Sequence, residues 1–304
     1  MGAQLRAIRR QIRSVQSTKK ITRAMELIAA SQIRRAQERV QRARPYAEQI
    51  TRAIGDITGQ AENLEHPLLE ERPDPQAAAV FVVTSDRGLA GAYSANVLRR
   101  TEELLQALRD EGKEARLYAV GRKGIGYYRF RERKVERSWQ GISERPSYDD
   151  AKDIADTMIT AFLERQVDEI YGVYTDYVSA LTQRAEARRF LPLVVEDVEI
   201  EEAGPYPLYI FEPEPQVILD ALVPRYVEMR VFAALLESAA SEHAARQRAM
   251  KSATDNADEL IKTYTRIANQ ARQAEITTEI SEIVGGAEAL AAAAEARAAD
   301  ALAG

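Results

Sequence analysis

The stretch best placed to do chemistry is Ser85-Asp-Arg-Gly-Leu-Ala-Gly-Ala-Tyr-Ser94, which follows an apolar run and opens a helical pattern. In an α/β sheet a phosphate binds at such a turn, because backbone N–H groups and the positive end of a helix meet there. The spacing is neither G-x-G-x-x-G nor a P-loop, and the lysine of a P-loop is missing. A plain strand-to-helix turn is the simpler account. The chain has two histidines, His66 beside a proline linker and His243 inside a helical stretch. Neither stands in a carboxylate or histidine cluster with metal-ligand spacing, so both read as satisfied or solvated side chains. Asp149 and Asp150 read as caps of the helix that follows them. Cysteine is absent, which excludes disulfides, thiolate metal sites and cysteine nucleophiles. No catalytic residue, metal ligand or cofactor site emerges from this inventory.

The elements around the Ser85–Ser94 stretch alternate. Residues 77–84 (AAAVFVVT) form a short apolar run, as in a strand buried on both faces. A helix is expected over 93–111, stopped by Gly112, then strands over 115–120 and 134–140. A second helix is expected over 148–165, followed by strands over 167–174 and 183–195. Strand and helix in alternation predict a small α/β domain with a mainly parallel sheet. Residues 196–215 are acidic and proline-rich and read as a loop or edge segment.

Outside this domain the pattern changes. From Arg225 to Val284 there is neither Gly nor Pro. A continuous helix there would be about 90 Å long at 1.5 Å per residue. Met229, Phe232, Leu236 and Ala239, then Met250, Ala253, Ala257, Leu260, Tyr264, Ile267, Ala271 and Ala274, step by three and four. That is a seam wide enough for one partner helix. His243 and Arg246 fall in the same register and weaken its middle. Residues 3–57 supply the partner, with Leu5, Ile8, Ile12 and Val15 continued by Thr22, Ala29, Ile33, Ala36 and Val40, a second stripe of Ile21, Met25 and Ile28, and a bend at Pro45. Both helices join the central domain at their near ends, so they are expected to run antiparallel, as a rod. The predicted architecture is an α/β fold: a long antiparallel two-helix coiled coil from the terminal segments, with a central Rossmann-like domain. Its parts are 1–60, 76–215 and 216–304, the last ending in an Ala-rich tail.

Charge is segregated. Residues 1–52 hold 13 Lys and Arg against three acids, in a chain of net charge −5. Arg6, Arg9, Arg10, Arg13, Lys19, Lys20, Arg23, Arg34 and Arg35 make a basic helix face, which calls for an acidic protein surface, a nucleic acid or a membrane surface, or is simply solvated. No aromatics interleave with these charges and no zinc or helix-turn-helix pattern appears. No apolar run approaches a membrane span, and the basic N-terminus lacks the apolar core of a secretory signal.

Four segments carry a specific resemblance. Lys20-Ile-Thr-Arg-Ala-Met-Glu-Leu-Ile-Ala-Ala-Ser31 closely resembles the N-terminal helix of the gamma-subunit family of F-type ATP synthases, and Ile276–Ala289 resembles that family's C-terminal signature. Arg248–Asp258 and Thr84–Gly91 match the same family, so the likeness covers essentially the whole chain. Two departures are visible. The Ala-rich extension after Leu290 is longer than usual, and the cysteine-containing insertion of the redox-regulated chloroplast form is missing.

The resemblance implies a bacterial central-stalk rotor, carrying torque from a proton-driven c-ring to the beta subunits that make ATP. It implies alpha and beta subunits in a ring around the coiled coil, an epsilon subunit and the c-ring at the globular end, and one copy of this chain per complex. It implies a peripheral place on the cytoplasmic face of the cell membrane, touching the membrane only through the c-ring, with no nucleic acid partner and no active site in this chain. It also implies two contact sets with beta: Lys19, Lys20, Arg23 and Met25 against an acidic lever segment, and Arg272, Gln273, Thr277 and Glu279 as a hydrogen-bonding catch. Two other readings stay open on the residues alone. One is a nucleotide-binding enzyme using the α/β domain; the other is a coiled-coil scaffold or nucleic-acid-binding protein using the basic helix.

Overall fold

The computed structural model describes residues 2–60, 66–193 and 212–303. Its elements in chain order are α1 (Gly2–Gln60), β1 (Ala77–Val83), α2 (Tyr93–Asp110), β2 (Glu114–Val120), α3 (Arg122–Phe130), β3 (Val135–Trp139), α4 (Tyr148–Leu163), β4 (Glu169–Tyr177), β5 (Gln183–Leu191) and α5 (Pro215–Ala303). The chain divides into two compact units, one of residues 1–25 with 250–304 and one of residues 26–249, the division falling within both long helices.

The unit of residues 26–249 is built on a five-stranded sheet of order β3-β2-β1-β4-β5. β1 pairs in parallel with β2 and β4, β3 is parallel to β2, and β5 closes the far edge antiparallel to β4. The apolar run made β1 the centre because both of its faces are covered. Ala79, Phe81 and Val83 point to one side, packing with Ile154 and Met158 of α4, Ile50, Ile54 and Ile57 of α1, and Leu219, Val223 and Val227 of α5. Ala78, Val80 and Val82 point to the other, with Val97, Leu105 and Leu108 of α2 and Tyr128 of α3. Gly172 on β4 lies under Phe81 and Phe190, where an added Cβ would come within 2.6 and 2.5 Å of their rings. At the head of α4, Ser147 caps the helix and its capping box is closed by Asp150, so one member of the Asp149–Asp150 pair does the capping expected of it.

Three details depart from the sequence reading. Helix α3 was not foreseen, because its two glycines, Gly124 and Gly126, argue against a helix. Gly124 serves there as the point of contact, its N–H donating to Thr84 Oγ1 at 2.8 Å. Helix α5, expected over 216–304, runs from Pro215 to Ala303 with Pro224 inside it. The seam of α5 changes character between 227 and 246, where nearly every face is buried, because that part of the helix lies against the sheet. His243 and Arg246 therefore do not weaken a seam; both are buried in a polar network described below. The acidic segment expected over 196–215 lies, up to residue 211, outside the described residues, as does the end of the strand expected over 183–195.

In the unit of residues 1–25 and 250–304 the two helices pair narrowly. Ile8, Thr22, Met250, Thr254 and Ala257 are buried. Leu260, which the count of three and four puts on the seam, is 45% exposed, and Ile261 is half-buried in its stead. Met250, Ala253, Ala257, Tyr264, Ile267 and Ala271 keep their expected places, so the seam departs from the apolar count locally, at Leu260 and Ala274, and takes in Thr254.

Candidate functional site

The helix faces expected to meet partners lie in the unit of residues 1–25 and 250–304. There Lys19 donates to the Asp258 carboxylate, and the Thr22 and Thr254 hydroxyls share a hydrogen bond of 2.8 Å. As the residue number rises on α1 it falls on α5, so the pairing is antiparallel. Thr22 Oγ1 also lies 3.1 Å from Lys19 O and Thr254 Oγ1 2.8 Å from Met250 O; with one O–H each, one hydroxyl donates across the helices while the other donates to its own helix carbonyl. A local run of Lys and Thr one turn apart, 19 and 22, thus meets Thr and Asp one turn apart, 254 and 258.

Helix geometry decides which of the expected contact residues stand together. Arg23 is four positions from Lys19 and three from Lys20, so the three lie within about 100° of one another around α1. Met25 lies roughly a third of a turn from Lys19 and is half-buried. Lys20 and Arg23 are exposed, whereas Lys19 is half-buried and engaged with Asp258. Ile21 is 61% exposed beside the basic residues, so the second apolar stripe expected along α1 is not buried there. On α5, Arg272, Gln273, Thr277 and Glu279 are all exposed. Gln273 and Thr277 are one turn apart, and the Thr277 hydroxyl donates to Gln273 O at 2.9 Å. Arg272 and Glu279 are two turns apart on a neighbouring side. The contact residues that the sequence left unnamed are Thr254 and Asp258, whose signal is the spacing of four from Met250.

In the unit of residues 26–249 the Ser85–Ser94 turn is closed on itself. Ser85 and Ser94 hydroxyls meet at 2.8 Å. Asp86 accepts from the backbone N–H of Arg122 and of Ser143, both at 3.1 Å, and its own N–H donates to Ser143 Oγ at 2.9 Å. Burial opposes the charge on Asp86, but N–H donors from Gly141, Ser143 and Arg122 outweigh it and hold the carboxyl below the usual range. The start of α3 is therefore already occupied by the chain's own carboxylate. The helix that the Ser85–Ser94 stretch itself opens is α2, which begins at Tyr93.

Beside the turn lies a buried ionic network. Arg246 reaches Glu242 at 2.5 Å and Glu144 at 3.3 Å, and His243 Nε2 is 3.3 Å from Glu144 O. Burial pushes the Glu242 carboxyl up, against the pull of Arg246. Burial likewise pushes His243 down, and Arg246 adds to that while the Glu144 carbonyl opposes it. His66 is also pushed down by burial and accepts from the Leu68 N–H at 3.1 Å. Both histidines are thus structurally satisfied, as the sequence suggested. Among the described residues no cluster of His, Cys, Asp or Glu is arranged to hold a metal, and no helix is long and apolar enough to cross a membrane.

Comparison with known proteins agrees along the whole length. The family model described as ATP synthase matches residues 4–290. The ATP synthase gamma chain of Parafrankia sp. (strain EAN1pec) is 62% identical over 296 residues, covering 96% of this chain and 99% of that protein. Those of Acidothermus cellulolyticus and Mycolicibacterium smegmatis are 62% and 57% identical, each again over 96% of this chain and 99% of the relative. Among solved structures, a chain of the Euglena gracilis mitochondrial ATP synthase, OSCP/F1/c-ring in rotational state 3, superposes with TM-score 0.66 at 18% identity over 95% of both chains. A chain of the Tetrahymena thermophila mitochondrial ATP synthase central stalk and c-ring gives 0.56 at 24% identity, over 77% of this chain and 99% of that one. At those identities the structures establish likeness of fold. Resting on the full-length family match and on relatives this similar, the chain belongs to the gamma chain family of ATP synthases.

Proposed function

We propose that this chain turns as the central-stalk rotor of an F-type ATP synthase, transmitting torque between a c-ring and the catalytic beta subunits. The observation that carries the reading is the antiparallel pairing of Lys19 with Asp258 and Thr22 with Thr254 in a chain of this family. A shaft must resist twisting, and two helices joined at successive turns do so better than either alone. It must also turn past its surroundings, which excludes a broad apolar contact. Lys20, Arg23, Arg272, Gln273 and Glu279 offer charge and hydrogen bonds that push without deep burial. In this reading the shaft is made of residues 1–60 and 216–304, and residues 76–215 form the globular part.

The finer assignments belong to the same proposal. Lys19, Lys20, Arg23 and Met25 meet an acidic lever of beta, with Lys19 acting from its pair with Asp258. Arg272, Gln273, Thr277 and Glu279 form the catch. Alpha, beta and epsilon subunits surround one copy of this chain, which sits peripherally at the cytoplasmic face of the bacterial membrane and reaches it through the c-ring. A scaffold or nucleic-acid binder built on the basic helix leaves the match over 4–290 unexplained.

The test has two parts. The chain is captured from its own cell membranes and its companions are identified by mass spectrometry. Alpha, beta and epsilon in a ratio of about three to three to one support the rotor; capture alone, or with nucleic acid, overturns it. Membranes carrying Met25→Lys are then assayed for ATP-driven proton pumping. Reduced pumping with normal assembly supports the contact set on α1, and unchanged pumping removes Met25 from it.

A further inference from the structure

A sheet and a helix turn as one body only if the sheet grips the helix, and here the apolar core does so only part of the way. The main core takes in α5 as far as Leu235. Further along the helix the apolar contact narrows to Ala90, Tyr93 and Ala245. Beside it lies a cavity of about 280 Å³, bordered by Gly91, by Thr175 and Gln183 of β4 and β5, and by Ala245 and Arg248 of α5. All of these residues lie in the unit of residues 26–249, and Arg248 stands next to its end.

Polar groups take over where the packing thins. Strand β4 runs on to Tyr177 after its last pair with β1, at Val173. Its backbone beyond that point is met by α5: the Thr175 N–H donates to Ser238 Oγ and the Thr175 carbonyl accepts from Ser241 Oγ, both at 3.3 Å. Arg248 continues the row, since Ser238, Ser241, Ala245 and Arg248 step by three and four and share one face of the helix. Its guanidinium crosses to the tip of the β4–β5 hairpin and donates to Ala180 O, Leu181 O and Gln183 Oε1.

The tip is itself a fixed handle. Gln183 Nε2 donates to Ser179 O at 2.7 Å and to Ala180 O at 3.1 Å, and Ser179 Oγ accepts from the Thr182 N–H at 3.0 Å. Helix α1 is tied to the same strand by Gln37, whose Nε2 donates to Tyr177 OH at 2.9 Å. Apolar contact has no direction and lets a helix slide or roll, whereas a hydrogen bond weakens steeply as its angle changes. Arg248 is exposed, so its bonds add little to stability. What they fix is the orientation of α5 about its own axis against the sheet.

We propose that Arg248 is a positioning residue for torque transfer, locking the β4–β5 hairpin to α5 so that the globular part and the shaft turn together. The proposal rests on the rotor reading, in which torque enters through one part and leaves through the other. Among the described residues, Arg248 is the polar link between sheet and α5 that lies nearest to the division in that helix.

The test uses membranes carrying the whole complex with Arg248→Gln, Arg248→Lys or Gln183→Ala. Proton pumping is plotted against the ATP hydrolysed by the same membranes. Hydrolysis is then repeated with the catalytic part detached from the membrane, where the globular part bears no load. Arg248→Gln is expected to lower pumping about twofold or more at equal hydrolysis. Detached hydrolysis and subunit amounts stay at the parent level, and the Tm of the chain moves by about 2 °C or less. Arg248→Lys keeps one cationic donor for the tip and recovers part of the loss. Gln183→Ala removes one acceptor and gives a smaller loss than Arg248→Gln. Unchanged pumping in Arg248→Gln overturns the proposal, as does an equal fall in detached hydrolysis, loss of the complex from the membranes, or a Lys variant no better than the Gln variant. A parent complex that does not pump overturns the rotor reading, and the joint with it.

Discussion

The hydroxyls of Thr22 and Thr254 meet at 2.8 Å across two helices, both side chains less than a tenth exposed. Each oxygen also lies within reach of the carbonyl one turn back in its own helix, and the hydroxyl that does not donate across the pair donates there. A polar pair is thus placed where an ordinary coiled coil would set two apolar residues, and it fixes the register of α1 against α5. Removing one hydroxyl leaves the other buried without its cross-helix partner. Thr22→Val and Thr254→Val are each expected to cost about 1 kcal/mol, and the double variant less than their sum. Chemical unfolding of the four proteins measures the coupling; strict additivity would show that the hydroxyls do not act on each other.

Lys19 and Asp258 sit beside that pair but are 38% and 42% exposed. Exposed ion pairs contribute about 0–1 kcal/mol and are screened by salt. Asp258→Asn is therefore expected to change stability little while freeing Lys19 to move. In assembled membranes its effect appears in coupled pumping more than in the amount of complex, which subunit quantification on the same membranes checks.

Gly121 has φ +89° and a Cβ there would stand 2.1 Å from the Thr84 carbonyl oxygen. The backbone conformation and the close approach both require glycine. Gly121→Ala is expected to destabilise the α/β unit by about 3 kcal/mol or more, through strain and displacement of β1. The loss of the sheet's cooperative unfolding transition, followed by near-ultraviolet circular dichroism, is the readout.

Glu237 and His243 give opposite pH dependences. Burial and the neighbouring Asp176 push the Glu237 carboxyl up to about 7, against Arg188. A carboxyl raised in the folded state favours folding fully below its unfolded value, about 4.3, and that contribution is lost as pH rises towards 7. Glu237→Gln should therefore raise Tm at pH 8 and leave it unchanged at pH 4. For His243 the folded pKa is lowered, so the unfolded chain takes up the proton first. Stability from this residue is full above about pH 6.5 and falls as pH drops below it. His243→Gln should flatten that acid limb. Tm against pH for both variants and the parent chain decides each sign.

Residues 281–290 of α5 are exposed throughout, and the helix continues to Ala303. Deleting residues 291–304 is expected to leave assembly and pumping intact, because that segment follows a stretch with no buried face. Loss of the complex from membranes of the truncated strain would assign the tail a partner.

The sequence by itself determined the elements. The apolar run of 77–83 could only be a central strand, and the stepping of apolar residues by three and four over about 60 positions without Gly or Pro made a long paired helix unavoidable. The conspicuous absence of cysteine and of clustered ligands likewise set the chemistry aside before any geometry was known. What only the tertiary structure decided were matters of depth and of partners distant in sequence. His243 and Arg246 read as defects in a seam, yet burial against the sheet and Glu144, about 100 residues away, make them part of a buried ionic network. Gly124 argued against a helix until Thr84 was seen to press on it. Thr254 looked polar and Leu260 apolar, but the seam buries the first and exposes the second. Periodicity counts residue types along one helix; which of them is buried depends on the facing surface, and that surface exists only once the chain has folded.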